Sequence, residues 1–174
     1  MKSRVSVVVG DITRQKVDAI VNAANSTLLG GGGVDGAIHR VAGPELVWEC
    51  RKLNGCATGS ARITKGYNLP NQHVIHAVGP IWRGGKNSEA DLLARAYRSC
   101  FALVEQYDIK SVAVPSISTG AYRFPIDQAA RIAVTTAHEF CLKNYTVEKI
   151  IFVCYDQAAY DIYVPLVAEI IGTD

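Results

Sequence analysis

Short apolar runs alternate with longer amphipathic segments along this chain, and the alternation predicts strands separated by helices. "RVSVVV" at 4–9 is rich in β-branched residues, and "KIIFVCY" at 149–155 is apolar almost throughout. Strands of this kind lie in parallel sheets whose two faces are covered by helices, so we expect both to be buried. The predicted strands are residues 4–9, 18–24, 61–64, 73–79, 111–117 and 149–155.

Residues 88–107 carry the clearest helical pattern, because apolar side chains recur there at spacings of three and four. Ser88 and Asp91 predict a capping box at its start. Pro165 falls inside the last amphipathic segment, where its ring and missing N–H predict a kink or a break. The other predicted helices follow Asp35 (with Ile38, Val41 and Ala42 on one face), follow Pro44, span 127–143 and begin near Asp156.

The composition is that of an ordinary soluble globular protein, with 49% hydrophobic and 20% charged residues. A length of 174 residues fits one domain, which we assign to residues 1–174. The net charge is only +2 and the basic residues are scattered, which argues against direct nucleic-acid binding. No stretch approaches the roughly 20 apolar residues of a membrane span, and the basic N-terminus leads directly into a strand. We therefore expect a cytoplasmic protein without a membrane segment.

The cysteines favour buried free thiols in a reducing compartment, because their number is odd and three lie in apolar periodic runs. The spacing of Cys50 and Cys56 is not that of zinc ligands, and no pair of histidines completes a set. We therefore predict no metal site. The five are Cys50, Cys56, Cys100, Cys141 and Cys154.

The unusual polar and glycine-rich segments fall where predicted strands end. Ligands of open α/β sheets bind beyond the carboxyl ends of the strands, so these loops are the candidates for a functional site. The loops are Gly10-Asp11, the segment from Asn22 to Asp35, "SISTGAYRFP" at 116–125, and Tyr155.

The segment "LLGGGGVDGAIH" at 28–39 contains four consecutive glycines, which lose much backbone freedom on folding. Residues 31–36 match G-x-G-x-x-G, but the glycines follow the second strand rather than the first, and the Lys-Ser/Thr of a Walker motif is missing. Glycine N–H groups at a helix start can still hold phosphate oxygens. A second donor set at 118–121 would make the pair suit a diphosphate. The alternative is that both loops are only tight turns.

Asp35 argues for chemistry as well as binding. A carboxylate beside a diphosphate is repelled, which a pure binding site would not use, whereas a negative neighbour makes a carboxylate a better base. The alternative role is an N-cap of the following helix, and the two roles are compatible. Asn22 and Asn25 suit sugar hydroxyls or the orientation of a water, or they are turn residues that bond their own backbone.

The remaining polar candidates have equally open interpretations. Asp11 either caps a local turn or accepts a hydrogen bond from an exocyclic amine such as that of adenine. Tyr155 either stacks on a base or completes the core. His39 and His76 are interpreted as structural, because neither has an evident Ser or Cys partner in the sequence. Ser118 lacks the context of a nucleophile elbow.

Four segments together resemble a known family over essentially the whole chain. They are "GDIT" at 10–13, "VNAANSTLLGGGGVDGAIH" at 21–39, "HAVGPIW" at 76–82 and "SISTGAYRFP" at 116–125. These segments resemble the macrodomains, in particular the bacterial MacroD-type O-acetyl-ADP-ribose deacetylases. The resemblance implies a three-layer α/β/α fold with a central mixed, mostly parallel sheet flanked by helices.

The resemblance also implies a role for each site residue. Asp35 and Asn25 would be catalytic, with Asp35 promoting attack by water beside the distal ribose that Asn22 and Asn25 set. Asp11, Ile12 and Tyr155 would contact the adenine. Main-chain donors would hold the diphosphate. The implied substrate-binding residues are Asp11, Ile12, Asn22, Asn25, Gly32, Gly33, Val34, Asp35, Ser118, Thr119, Gly120, Ala121, Tyr122 and Tyr155.

By resemblance, the chain would release acetate from O-acetyl-ADP-ribose, or ADP-ribose from modified acidic side chains of proteins, without a cofactor or a catalytic metal. The alternatives are a reader that binds ADP-ribose without turnover, and a regulatory binder of another protein such as ribonuclease III. Three residues depart from the family pattern, the first being Pro165, which would break a final helix that is normally regular. Ala121 stands where a larger aliphatic residue is usual, and Arg123 stands where glycine is usual.

Overall fold

The computed structural model describes residues 4–172, so the basic N-terminus at 1–3 and residues 173–174 lie outside the described part. The strands are β1 (Val5–Val9), β2 (Ala19–Ala24), β3 (Ala61–Lys65), β4 (His73–Val78), β5 (Ser111–Val114) and β6 (Lys149–Cys154). The helices are α1 (Gly33–Ala42), α2 (Pro44–Arg51), α3 (Glu89–Gln106), α4 (Ile126–Lys143) and α5 (Gln157–Ile170). Each element predicted from the hydrophobic pattern is present.

These strands form one sheet in the order β1-β6-β5-β2-β4-β3. Every pair of neighbours is parallel except β3 and β4, which are antiparallel. Side chains of a strand alternate between the two faces, and in β2 Ala19 and Val21 pack into one apolar cluster while Ile20 and Ala24 pack into the other. Helices α3, α4 and α5 cover the first face, and α1 and α2 cover the second. The three-layer α/β/α fold and the mixed, mostly parallel sheet are therefore confirmed.

The parallel order brings the carboxyl ends of five strands to one edge of the sheet. Gly10-Asp11 follows β1, Tyr155 follows β6, and Pro115 begins the loop after β5. Asn25 follows β2, and Gly79 follows β4. The loops singled out from the sequence thus meet at the edge where ligands of such sheets bind.

Two predictions about strands need correction. β1 is an edge strand, so Val5 is buried while Val9 remains 46% exposed, and the prediction of a buried strand holds for only part of it. β5 ends at Val114 instead of residue 117, since Pro115 has no N–H to continue the ladder.

Three predictions about helices are also wrong in detail. Ser88 has left-handed backbone and makes no capping bond; the loop before α3 is instead closed by Glu89, whose carboxylate accepts the N–H groups of Arg83, Gly85 and Asn87 at 2.6–3.0 Å. Pro165 does not break α5, because it lies on the exposed face, where water can reach the carbonyl that loses its donor. Val41 is 43% exposed and does not join the buried face of α1.

All five cysteines are free and buried, as the sequence predicted. No helix among residues 4–172 is both long and apolar enough to cross a membrane.

Candidate active site

A cavity of about 330 Å³ opens where β2, β4 and β5 end, between the glycine loop and the 116–122 loop. Two of the loops predicted from sequence to hold a ligand therefore face each other across one space. Of the predicted site residues, the cavity is lined by Asn25, Gly32, Gly33, Val34, Asp35, Ser118, Gly120, Ala121 and Tyr122. It is also lined by residues that were not named individually, namely Ala23, Ala24, Gly31, Ser116 and Ile117 within the predicted loops and Gly79 outside them.

The other predicted residues lie outside the lining of this cavity. Asp11, Ile12 and Tyr155 follow β1 and β6, which pair with each other at the far end of the same edge. Ile12 is buried in the core, whereas the Tyr155 side chain is 90% exposed. Thr119 is turned to its own loop, where its hydroxyl donates to the Ser116 carbonyl at 3.1 Å.

Asp11 caps the short 3₁₀ turn Ile12–Arg14, as one of its two interpretations proposed. Its Oδ1 accepts hydrogen bonds from the Thr13 hydroxyl at 2.7 Å and the Thr13 N–H at 2.9 Å. These two bonds hold the pKa of the Asp11 carboxyl below its usual value. Oδ2 lies 3.8 Å from the Arg14 guanidinium and accepts no hydrogen bond from residues 4–172, so this second oxygen remains open to a further donor.

The first turn of α1 offers the cavity a set of uncapped backbone donors. The N-cap is Gly32, which has no side chain to satisfy the N–H groups of the turn. The first N–H groups of any helix lack partners within it, and they carry the positive end of the helix dipole. By contrast, α5 is closed by Asp156, which accepts from the Ala159 N–H at 2.9 Å. The open end of α1 is therefore suited to an anion.

The 116–122 loop is held from below by two buried tyrosines. Tyr97 Oη accepts the N–H of Ile117 at 3.0 Å, and Tyr163 Oη donates to Ser116 Oγ at 3.1 Å. The backbone N–H of Trp82 donates to the Tyr122 carbonyl at 2.8 Å. Within residues 4–172, the N–H groups of 118–122 have no acceptor. A rigid loop thus presents a second row of donors to the cavity.

Asp35 is the third residue of α1 and not its N-cap, so that alternative is wrong. Its relative solvent exposure is only 5%, so the residue is buried. Its Oδ1 accepts a hydrogen bond of 2.9 Å from Asn22 Nδ2 and lies 3.3 Å from His39 Nε2. Its Oδ2 accepts no hydrogen bond from any residue in 4–172 and lies beside the bare Cα of Gly31. Asp35 therefore has one anchored oxygen and one free oxygen.

His39, which the sequence interpretation treated as structural, lies outside the cavity lining but directly beside Asp35. It lies four residues after Asp35, and residues at that spacing are neighbours on one face of a helix. Its Nε2 is buried and, despite the short distance to Asp35, has no hydrogen-bond partner within the described chain. The i, i+4 spacing was a signal that the sequence carried.

Asn22 and His76 form a buried layer behind Asp35. Asn22 Nδ2 lies 3.1 Å from His76 Nδ1, and His76 Nε2 lies 2.9 Å from Thr64 Oγ1. Burial lowers the pKa of His76 from 6.5 to about 4, so the ring is neutral at pH 7. Cys50 Sγ lies 3.8 Å from His76 Nε2, but burial raises the pKa of this thiol to about 11, which leaves it protonated.

Asn25 uses most of its amide to fold the glycine loop. Its Oδ1 accepts from the Thr27 hydroxyl at 2.6 Å and from the N–H groups of Thr27 and Leu28, both at 3.2 Å. Its Nδ2 donates to the Gly30 carbonyl at 2.9 Å. The interpretation of Asn25 as a turn residue is therefore confirmed, and one remaining N–H is left for the cavity.

Two glycines that the sequence interpretation left out of the site fix its shape. A Cβ on Gly31 would lie 3.1 Å from Asp35 Oδ2 and 3.5 Å from Asn25 Nδ2, so the bare Cα lets the carboxylate and the amide face one space. A Cβ on Gly79 would lie 2.2 Å from Ser118 Oγ. Gly79 had a signal, since it directly follows the strand β4 at the predicted edge.

No group of three or more His, Cys, Asp or Glu side chains is arranged to hold a metal ion in the described part of the chain.

Comparison with known proteins matches this arrangement to one family. Residues 21–133 match the family model described as Macro domain. A Macro domain-containing protein of Methanosarcina mazei is 56% identical over 154 residues, which cover 88% of this chain and 82% of that protein. A protein of Salmonella gallinarum named O-acetyl-ADP-ribose deacetylase is 50% identical over 173 residues, covering 97% of each chain.

Among solved structures, a mutant of the Oceanobacillus iheyensis macrodomain with ADPR superimposes with a TM-score of 0.91. Its sequence is 42% identical to this one, and the match covers 95% of this chain and 92% of that one.

Proposed function

We propose that this chain, which belongs to the Macro domain family, hydrolyses O-acetyl-ADP-ribose to ADP-ribose and acetate. The observation that carries the proposal is Asp35 Oδ2. This carboxylate oxygen accepts no hydrogen bond from any residue in 4–172 and lies beside the uncapped end of α1. An anion-binding site would explain the glycines, but it would not explain why a buried carboxylate lies in the same cavity. A relative 50% identical over 97% of the chain is named for the deacetylase activity, which supports the assignment.

The diphosphate of the substrate would lie between the two donor rows. On one side the N–H groups of Gly33 and Val34 belong to the open helix end, and on the other the loop 118–122 supplies its own. Backbone donors in rigid elements need little reorganisation on binding. The solved structure with ADPR supports a ligand of this class for the fold.

The ester would lie over Asp35 and Asn25. Water adds to the acetyl carbonyl carbon and gives up a proton to Asp35 Oδ2; the ester C–O bond then breaks, and the ribose oxygen takes the proton. The remaining N–H of Asn25 donates to the water, while Asn22, which is completely buried and outside the cavity lining, anchors Asp35 Oδ1 from behind. Asp35 and Asn25 thus act through the oxygen and the N–H that their own hydrogen bonds leave unused.

The adenine would lie toward β1 and β6. Asp11 Oδ2 is open to the exocyclic amine, Ile12 supplies a backbone N–H, and the exposed Tyr155 ring is free to stack on the base. The single-domain organisation over 1–174 is part of the proposal. So is a cytoplasmic location, which the five free, buried cysteines support.

The same chemistry extends the proposal to mono-ADP-ribose on acidic side chains of proteins. An Asp or Glu modified in this way is also a carboxylate ester of the ribose, so the same attack by water would release it. ADP-ribosylated proteins are therefore proposed as partners. Ribonuclease III, which the family resemblance brought in, gains no support from the comparisons and is left out.

The test is acetate release from O-acetyl-ADP-ribose by wild type, Asp35→Ala and a matched control. Asp127→Ala removes a carboxylate from the first turn of another helix, α4, outside the cavity. We expect Asp35→Ala to lower kcat by about 10²–10⁴-fold and Asp127→Ala to leave it unchanged. Calorimetry with ADP-ribose shows whether Asp35→Ala still binds. A folded wild type that binds ADP-ribose without releasing acetate would refute the enzyme and identify a reader.

A further inference from the structure

We propose that His76 is a positioning residue of this site: it sets the orientation of the Asn22 amide, and Asn22 in turn anchors Asp35. His76 is not one of the residues that line the cavity, since it lies behind Asn22 and is completely buried. The inference rests on the proposed hydrolysis, because it assigns His76 a part in that reaction.

The hydrogen bonds fix the protonation of the His76 ring. An amide nitrogen can only donate, so His76 Nδ1 must accept from Asn22 Nδ2 at 3.1 Å. The ring proton therefore lies on Nε2 and is donated to Thr64 Oγ1 at 2.9 Å. The Thr64 hydroxyl then donates to the Lys65 carbonyl at 3.1 Å, which completes the chain of donors.

This protonation leaves Asn22 a single arrangement. One hydrogen of Nδ2 goes to His76 Nδ1 and the other to Asp35 Oδ1 at 2.9 Å. If the amide were turned over, its oxygen would face the Asp35 carboxylate, which has no hydrogen to give, and the His76 ring could pair with that oxygen only as the opposite tautomer. Two acceptors therefore hold the amide the same way round, the Asp35 carboxylate on one side and His76 Nδ1 on the other, and His76 is the one that can be replaced without removing the reactive carboxylate.

The surroundings of His76 contain few other groups that could reorient it. Asp35 lies beyond Asn22, the His39 ring centroid is 6.4 Å away, and the Cys50 thiol is 3.8 Å from Nε2. Within residues 4–172, none of these three groups donates to His76 Nδ1. Histidine thus supplies an acceptor on one side and a donor on the other, both within one rigid ring.

Two substitutions separate the two sides of the ring. His76→Asn places an amide oxygen near the Nδ1 position and keeps the acceptor for Asn22. His76→Gln reaches the Nε2 position, keeps a partner for Thr64 and loses that acceptor. Both remove the ring, so each is the control for the other, and thermal denaturation shows that both are compared as folded proteins.

We expect His76→Gln to lower kcat about 10²-fold while the ADP-ribose affinity measured by calorimetry falls at least tenfold less than turnover. His76→Asn should restore most of kcat. Equal kcat in the two variants, or an affinity loss as large as the kcat loss, would overturn the proposal and leave His76 a purely structural residue.

A measurement independent of turnover reads the ring directly. Long-range ¹⁵N–¹H NMR of the wild type should show His76 as the neutral Nε2–H tautomer, whereas an Nδ1–H tautomer would overturn the proposal. A wild type that releases no acetate would refute the proposed function, and with it the catalytic purpose of His76. If the wild type is active and His76→Gln and His76→Asn have equal kcat, this inference alone would be refuted.

Discussion

The close approach of β4 to the 116–122 loop makes Gly79→Ala a test of how the cavity is held. An added Cβ would lie 2.2 Å from Ser118 Oγ and 2.6 Å from Ile117 Cγ2. Ordinary carbon contacts are about 3.5–4.0 Å, so both neighbours would have to move by about 1 Å or more. The methyl group therefore cannot be added unless the side chains of Ile117 and Ser118, in the loop that forms one wall of the cavity, move.

The movement is costly because both side chains are buried and have little space in which to move. Ser118 already has left-handed backbone, with φ of 67°, and Ile117 is buried with its N–H bonded to Tyr97. Overpacking of this kind costs about 1–3 kcal/mol in a core. For a chain of this length that corresponds to a fall in Tm of about 2–12 °C.

Thermal denaturation of Gly79→Ala and Gly120→Ala measures this cost against a matched control. Gly120 belongs to the same cavity, but a Cβ there would meet no atom within 4 Å. We expect the lower Tm in Gly79→Ala only, together with weaker ADP-ribose binding by calorimetry. A Gly79→Ala protein with the Tm of Gly120→Ala would show that the loop yields freely and that the argument from distance is wrong.

Two further predictions concern His76 and Arg123. The His76 pKa is lower in the folded state than the 6.5 of an unfolded chain, so the unfolded state binds the proton first as the pH falls. The free energy of unfolding should lose about 3 kcal/mol between pH 6.5 and pH 4, seen in urea titrations, and an equal loss in His76→Asn would contradict the assignment. Arg123 has φ of 62°, so Arg123→Gly should raise Tm by about 2–4 °C, whereas Arg123→Lys should not; a lower Tm in the glycine variant would refute this.

The fold was predictable because its signals are local and mutually consistent. The strands and helices follow from the period of the apolar residues, and the alternation of the two selects a sheet covered on both faces. The errors lie where tertiary position decides. Val9 is exposed because β1 is an edge, and Glu89 closes the α3 loop with bonds to residues whose backbone conformation no local pattern reveals.

The candidate site was predictable as a set of loops, because the carboxyl ends of parallel strands must meet at one edge. The departure noted at Arg123 also has a structural counterpart, since the left-handed backbone there is a conformation that glycine adopts at little cost. The roles of single residues were less accessible. Asn25 and Asp11 each had two interpretations, and only the distances to Thr27 and Thr13 show that both fold their own loops.

The buried layer behind Asp35 was beyond the sequence because its members come from three separate elements. Asn22 is on β2, His76 is on β4, and Thr64 is on β3. These residues are adjacent only after the register Asn22↔His76 is formed between paired strands. The spacing of residues along the chain does not predict the register between β2 and β4. His76 was therefore interpreted as structural, because no partner for it could be identified from the sequence.

This layer offsets the electrostatic repulsion that arises between Asp35 and a bound diphosphate. Asp35 lies in the first turn of α1, whose N–H groups would also hold the diphosphate, so the two anions would be separated by about one helical turn, or about 5 Å. At an effective dielectric constant of about 20, two unit charges at that distance repel by about 3 kcal/mol. The hydrogen bond from Asn22 to Asp35 is of the charge-assisted kind, worth about 1.5–3 kcal/mol. It can offset the repulsion only while the amide is held the right way round, and His76 holds it from a position where neither substrate nor water competes for the bond.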